Sequence, residues 1–218
     1  MTVSNDVPIG SSLHKGLSRR TFVAGTAAGL AATALVGART AMAAEPATDE
    51  TLGKTVCFWV ASSRCVNCGA CANACEKYHP EAAHPRRKVV TYTKPNGKEV
   101  YISRACMHCD DPSCARVCPA HAITKNESGV VSVDPNRCIG CKYCYEACPF
   151  SVPQYGPNGM DKCDYCASIG VKPGTTPRCA QACPTGALNA CWAKDVEERS
   201  NGKAKRVESS TNPSMWIS

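Results

Sequence analysis

Sixteen of the eighteen cysteines in this 218-residue chain fall into four short runs. They are Cys65-Cys68-Cys71-Cys75, Cys106-Cys109-Cys114-Cys118, Cys138-Cys141-Cys144-Cys148 and Cys163-Cys166-Cys179-Cys183. The first and third read C-x2-C-x2-C-x3-C; the second opens one gap to four residues and the fourth opens it to twelve. Two residues between thiols let a short loop wrap one corner of an iron–sulfur cubane, so three thiolates reach three irons. The cysteine three further on starts a helix that points away and can reach a neighbouring cluster. Pro119, Pro149 and Pro184 directly follow Cys118, Cys148 and Cys183, the C-P ending of that pattern. Sixteen thiolates at four per cubane predict four [4Fe–4S] clusters, and a protein so equipped is expected to conduct electrons.

The elements that must position these loops are short. Residues 54–60 alternate and are rich in β-formers, so they read as a strand leading into the first run, with 187–193 after the fourth run as its partner. Residues 99–103 lead into the second run. Residues 122–124 and 130–133 read as a hairpin, and 86–97 as an insertion closed by a Pro95-Asn96-Gly97 turn. The first run ends in Cys75-Glu76 rather than Cys-Pro, so its helix is expected to continue. Residues 194–218 are polar and expected to be loosely held.

The N-terminal 43 residues read as a leader. Ser18-Arg19-Arg20-Thr21-Phe22 has the form of a twin-arginine signal, followed by an Ala/Gly-rich stretch and an Ala41-Met42-Ala43 cleavage site. Residues 21–38 are uncharged but only weakly apolar, so an uncleaved anchor is the lesser reading. The twin-arginine route moves proteins already folded around their cofactors, so clusters built in a reducing cytoplasm can be carried out intact. The expected location is the periplasm or the outer face of the cytoplasmic membrane, and the mature chain is expected to have no membrane span.

Without the leader the formal charge is +4. Four clusters with thiolate ligands contribute about −8, which leaves the loaded protein near −4. The basic balance therefore reads as compensation for clusters. Aromatic–basic interleaving of the nucleic-acid type is absent, so no nucleic-acid partner is expected. With three Trp, two Phe and seven Tyr beyond the leader, apolar core material is thin, and clusters must replace much of it.

Cys106-Met107-His108-Cys109-Asp110-Asp111-Pro112-Ser113-Cys114, Cys138-Ile139-Gly140-Cys141, Asp161-Lys162-Cys163-Asp164 and Cys183-Pro184-Thr185-Gly186-Ala187-Leu188 resemble the four-cluster iron–sulfur subunits of the dimethyl sulfoxide reductase family of molybdopterin oxidoreductases. The resemblance covers roughly residues 54–193. It implies an α+β fold of two ferredoxin-like modules, a polyferredoxin with short antiparallel strands and short helices, within residues 44–193. It also implies exchanged fourth ligands: Cys65, Cys68, Cys71 with Cys183; Cys163, Cys166, Cys179 with Cys75; Cys106, Cys109, Cys114 with Cys148; and Cys138, Cys141, Cys144 with Cys118. The implied partners are a molybdopterin catalytic subunit and a membrane quinone-reactive subunit. The chain itself is expected to be non-catalytic, with no G-x-G-x-x-G fingerprint after a strand, no P-loop and no nucleophile–base pair. A relay to a cytochrome nitrite reductase is the alternative within electron transfer; a structural zinc or disulfide protein is the alternative outside it.

Some features carry two readings. The fourth run alone could pass for a zinc ribbon. Cys57 and Cys191 lie eight residues outside Cys65 and Cys183, and are either a disulfide formed after export or two small buried hydrophobes. His108 either donates to a cluster sulfur or faces solvent or a partner. Tyr143, Tyr145, Tyr165 and Trp59 read as packing that excludes water. Arg86-Arg87-Lys88 reads as a solvated loop or a partner contact. Met215-Trp216-Ile217 reads as an edge strand or a docking segment.

Overall fold

A computed structural model describes residues 53–218, so the twin-arginine segment and its cleavage site lie outside the described residues. At the centre is β1 (Val56–Val60), a Val/Phe/Trp-rich segment suited to a strand buried on both faces. It pairs antiparallel with β8 (Leu188–Trp192), Cys57 opposite Cys191, as the alternation predicts. On its other side it pairs in parallel with β10 (Met215–Ile217), which pairs antiparallel with β9 (Lys205–Arg206). The sheet order is β8-β1-β10-β9.

The C-terminal segment therefore departs from expectation. Residues 215–217 form an internal strand beside β1, and Thr211, Ser214, Met215 and Trp216 are buried. The reason is the side-chain period of two. Met215 and Ile217 face the main core with Val56, Phe58, Val60 and Leu188, while Trp216 faces a second, smaller core with Cys57, Cys191, Ala193 and Val196. An apolar triplet that serves both faces is too valuable to leave at an edge.

Three two-stranded hairpins complete the strands. They are β2 (Lys88–Thr93) with β3 (Glu99–Arg104), β4 (Ile123–Lys125) with β5 (Val131–Val133), and β6 (Gln154–Gly156) with β7 (Gly159–Asp161). The first is the expected insertion, closed at Gly97 with φ +78°. The third adds to the expected set, and its Pro157-Asn158-Gly159 turn repeats the signal of residues 95–97. The helices are α1 (Ala70–Tyr78), α2 (Ser113–Arg116), α3 (Tyr143–Glu146), α4 (Arg178–Gln181) and α5 (Val196–Arg199). Only α1 runs for nine residues, because no proline follows Cys75. The α+β class with short antiparallel strands and short helices is as expected. Among the described residues no helix is long and apolar enough to cross a membrane.

Candidate metal centre

Each run builds its loop with the same backbone device. The residue just before the second cysteine sits in the left-handed region in all four: Asn67 (φ +55°), His108 (+44°), Gly140 (+68°) and Tyr165 (+61°). A left-handed residue costs a non-glycine about 1–2 kcal/mol. Three of the four are not glycine, and repetition of that cost at equivalent positions marks a shape the loop must hold. The Cys-Pro endings repeat as well. The third residue after Cys118, Cys148 and Cys183 closes a turn onto that cysteine's carbonyl, as the amides of His121, Ser151 and Gly186 donate over 3.1–3.2 Å, each at positive φ.

Packing then brings distant runs together. Helix α1 lies against α4, and α2 lies against α3. Cys65, Cys68 and Cys71 line one pocket with Cys183, and Val60, Val89 and Leu188 form part of its wall. Cys138, Cys141 and Cys144 line a second with Cys118, Tyr155 and Met160. The other eight thiols also gather in fours. Burial, reinforced by Cys163, Cys179 and Cys166, pushes Cys75 up to about 12. Burial, reinforced by Cys106, Cys148 and Cys109, pushes Cys114 up to about 12.

Such donor sets suit a polynuclear cationic centre. Four crowded, half-buried thiols cannot all ionise unaided; a positive core that ligates them removes the repulsion and takes the protons off. A tetrahedral zinc site would need its sulfurs about 3.8 Å apart. Among the described residues no three Cys, His, Asp or Glu side chains converge closely enough for a single ion.

Polar groups around the thiols are placed as donors. Tyr155 Oη lies 2.9 Å from Cys144 Sγ and Ser103 Oγ 3.2 Å from Cys71 Sγ. The amides of Ala122, Met160 and Leu188 donate to Cys118, Cys138 and Cys183 over 3.3–3.4 Å. Gly159, at φ +94°, lets the β6–β7 turn approach so closely that a Cβ there would sit 3.2 Å from Cys138 Sγ. Lys162 is buried and donates to the carbonyls of Val131 and Cys163. Burial disfavours charge on Cys106, but Lys162 and His108 beside it bring its pKa down to about 6.

His108 is fully buried, which removes the solvent- or partner-facing reading. Its Nδ1 accepts from the Val131 amide at 3.1 Å, so Nε2 carries the proton and points at Cys163 Sγ, 3.9 Å away. The basic run is not a solvated loop either. Arg87 is buried, and Arg86 pairs with Asp161 at 2.8 Å, Glu81 at 3.0 Å and Asp164 at 3.5 Å; only Lys88 is exposed. Tyr165 is buried as expected, but Tyr143 and Tyr145 are exposed and shield little. Cys57 and Cys191 are free, 3.8 Å apart, on the sheet face turned away from the cysteine runs. Tyr155, Ser103, Lys162 and Gly159 join the site beyond what the sequence reading singles out. Only the last carries a readable signal, its Pro-Asn-Gly turn.

A loop shape repeated four times around grouped cysteines defines a ferredoxin-type iron–sulfur protein. Residues 97–192 match the model of a family described as a 4Fe-4S dicluster domain. The probable anaerobic dimethyl sulfoxide reductase chain YnfG of Escherichia coli (strain K12) is 40% identical over 147 residues, covering 60% of this chain and 70% of that protein. The B subunit of anaerobic dimethyl sulfoxide reductase from the same organism is 39% identical over 148 residues, 61% of this chain and 71% of that one. The formate dehydrogenase iron-sulfur subunit of Wolinella succinogenes is 38% identical over 158 residues, 61% and 79%. This chain therefore belongs to the iron–sulfur electron-transfer subunits of the dimethyl sulfoxide reductase family.

Proposed function

We propose that this subunit holds four [4Fe–4S] clusters and relays single electrons between a membrane quinone-reactive subunit and a molybdopterin catalytic subunit, after export by the twin-arginine route. Each cluster, when bound, takes up and releases one electron without changing its ligands. The ligand sets are Cys65, Cys68, Cys71, Cys183; Cys163, Cys166, Cys179, Cys75; Cys106, Cys109, Cys114, Cys148; and Cys138, Cys141, Cys144, Cys118. The observation that carries this reading is the distant fourth cysteine in each cavity: Cys183 beside Cys65, Cys68 and Cys71, and Cys118 beside Cys138, Cys141 and Cys144.

The residues also suggest a path. The Cys163 set is wholly buried, whereas Cys68 and Cys141 are exposed. Arg87 lies beside Cys71 of one set and Cys75, Cys163 and Cys179 of the next. His108 adjoins both Cys106 and Cys163. The order is therefore Cys65 set, Cys163 set, Cys106 set, Cys138 set, with the exposed sets at the two ends, where partners dock. The subunit's own task is to hold the centres in line, keep water from the Cys163 and Cys106 sets in the middle of the line and set potentials through nearby donors.

The relatives' names support the partners: two are chains of dimethyl sulfoxide reductases and one is a subunit of a formate dehydrogenase. Iron and sulfide analysis with low-temperature electron paramagnetic resonance on anaerobically purified protein tests the reading. About sixteen irons per chain and four reducible centres are expected. A colourless, EPR-silent protein carrying about four zinc ions would refute it.

A further inference from the structure

Arg87 has surroundings that protein atoms alone do not explain. Its side chain is 1% exposed, with the guanidinium 4.2 Å above the Phe58 ring. Nη1 donates to Ser103 Oγ at 3.1 Å, and that hydroxyl is itself 3.2 Å from Cys71 Sγ. Nε and Nη2 have no partner within ordinary hydrogen-bond reach among the described residues, although the Cys179 thiol lies beside the guanidinium. Among the described residues no carboxylate is paired with it; Glu81, Asp161 and Asp164 pair with Arg86. Burial works against its charge, and the groups that sustain it are the thiols of Cys179, Cys163, Cys71 and Cys75. A buried cation with two idle donors costs several kcal/mol unless an anion with acceptor atoms lies against it.

We propose that Arg87 is a positioning residue for electron transfer: its Nε and Nη2 donate to sulfur of the clusters held by the Cys65 set and the Cys163 set, and its fixed charge raises the reduction potential of both. The inference rests on the cluster reading above. Reduction adds an electron to a centre that is already anionic and buried, so a cation held at the junction stabilises the reduced form of each neighbour. Arginine suits the place because its planar fork presents several donors in fixed directions, with one arm anchored by Ser103.

Potentiometric titration followed by electron paramagnetic resonance, on anaerobically purified full-length native, Arg87→Gln and Arg87→Lys proteins, tests this. In Arg87→Gln two of the resolved centres should move to more negative potential while the others hold. In Arg87→Lys the same two should move less, because the charge stays and the fork is lost. Unmoved potentials at native iron content, or an equal shift of every centre, would overturn the role. If Arg87→Gln loses iron, the equally uncharged Arg87→Met decides, and unchanged potentials there at native iron content overturn the role. Native protein without cluster signals would remove the cluster reading and this inference together; native signals with unmoved variants would remove only this one.

Discussion

The two pairs of cysteine runs are held by different means. The first and fourth runs flank the four-stranded sheet, and their thiols Cys71, Cys163 and Cys179 belong to the main core with Phe58, Val60 and Leu188. The second run is split: Cys106 and Cys109 join the main core, whereas Cys114, Cys118 and the third run's Cys138 and Cys144 depend on two small hairpins and a core of Ile123, Val131 and Met160. The charges differ too. Between the outer pair sits Arg87 with idle donors, whereas Lys162, beside Cys106, has both its hydrogen bonds directed at carbonyls. The lesson is a division of labour: one pair is supported by the sheet, and the other touches the main core only through the start of the second run and leans more heavily on its metal.

Removing the iron should have the largest effect. Oxidative cluster destruction with a chelator present is expected to abolish most far-ultraviolet circular dichroism, because thiols that complete both cores then repel or stay unpaired. Residual structure, if any, should localise to β1, β8 and β10 by hydrogen exchange; protection in β4–β7 instead would reverse the comparison.

Exchange of the fourth cysteine gives the next largest effect. Cys183→Ser or Cys75→Ser should strip iron from the outer pair and leave the inner pair's signals, while Cys118→Ser should do the opposite. Iron loss limited to the run that carries the substitution would contradict the exchanged sets.

Truncating the internal strand comes third. Met215→Ala removes a side chain that is 2% exposed and should cost about 2–5 kcal/mol. The outer pair's clusters should bleach at lower temperature, followed by visible absorbance; a change confined to the inner pair would show that the sheet does not support the outer one.

At the inner pair, Gly159→Ala forces a Cβ against Cys138 at φ +94° and should cost about 1–3 kcal/mol. The measurement is faster thermal loss of one centre with the others unaffected. The smallest effect belongs to Tyr155→Phe, which removes the 2.9 Å contact to Cys144. One centre should shift to slightly more negative potential, worth about 0.5–1.5 kcal/mol, seen in a redox titration at constant iron content.

Most of the site is legible in the order of residues. The runs, their Cys-Pro endings and the longer first helix follow from local spacing, and the β1–β8 pairing follows from alternation around the outer runs. The β6–β7 hairpin is equally signalled by Pro157-Asn158-Gly159, but its strands are only three residues long and too short to show alternation. Arg87 is not legible. A basic triplet predicts solvent, and nothing local distinguishes the middle residue from its neighbours. Its burial depends on β2 pairing with β3 so that Ser103 and Phe58 meet it.

Cysteine type and spacing were enough to specify the metal chemistry, because a cluster loop is a local object: ligand reach, proline and turn are properties of a dozen adjacent residues. Which charges stand beside the thiols, which runs share a cavity and where the last residues pack depend on contacts between segments up to 159 positions apart, such as Trp59 Nε1 donating to Ser218 Oγ. Burial is decided only when those segments meet, and burial sets both the worth of a charge and the cost of an idle donor.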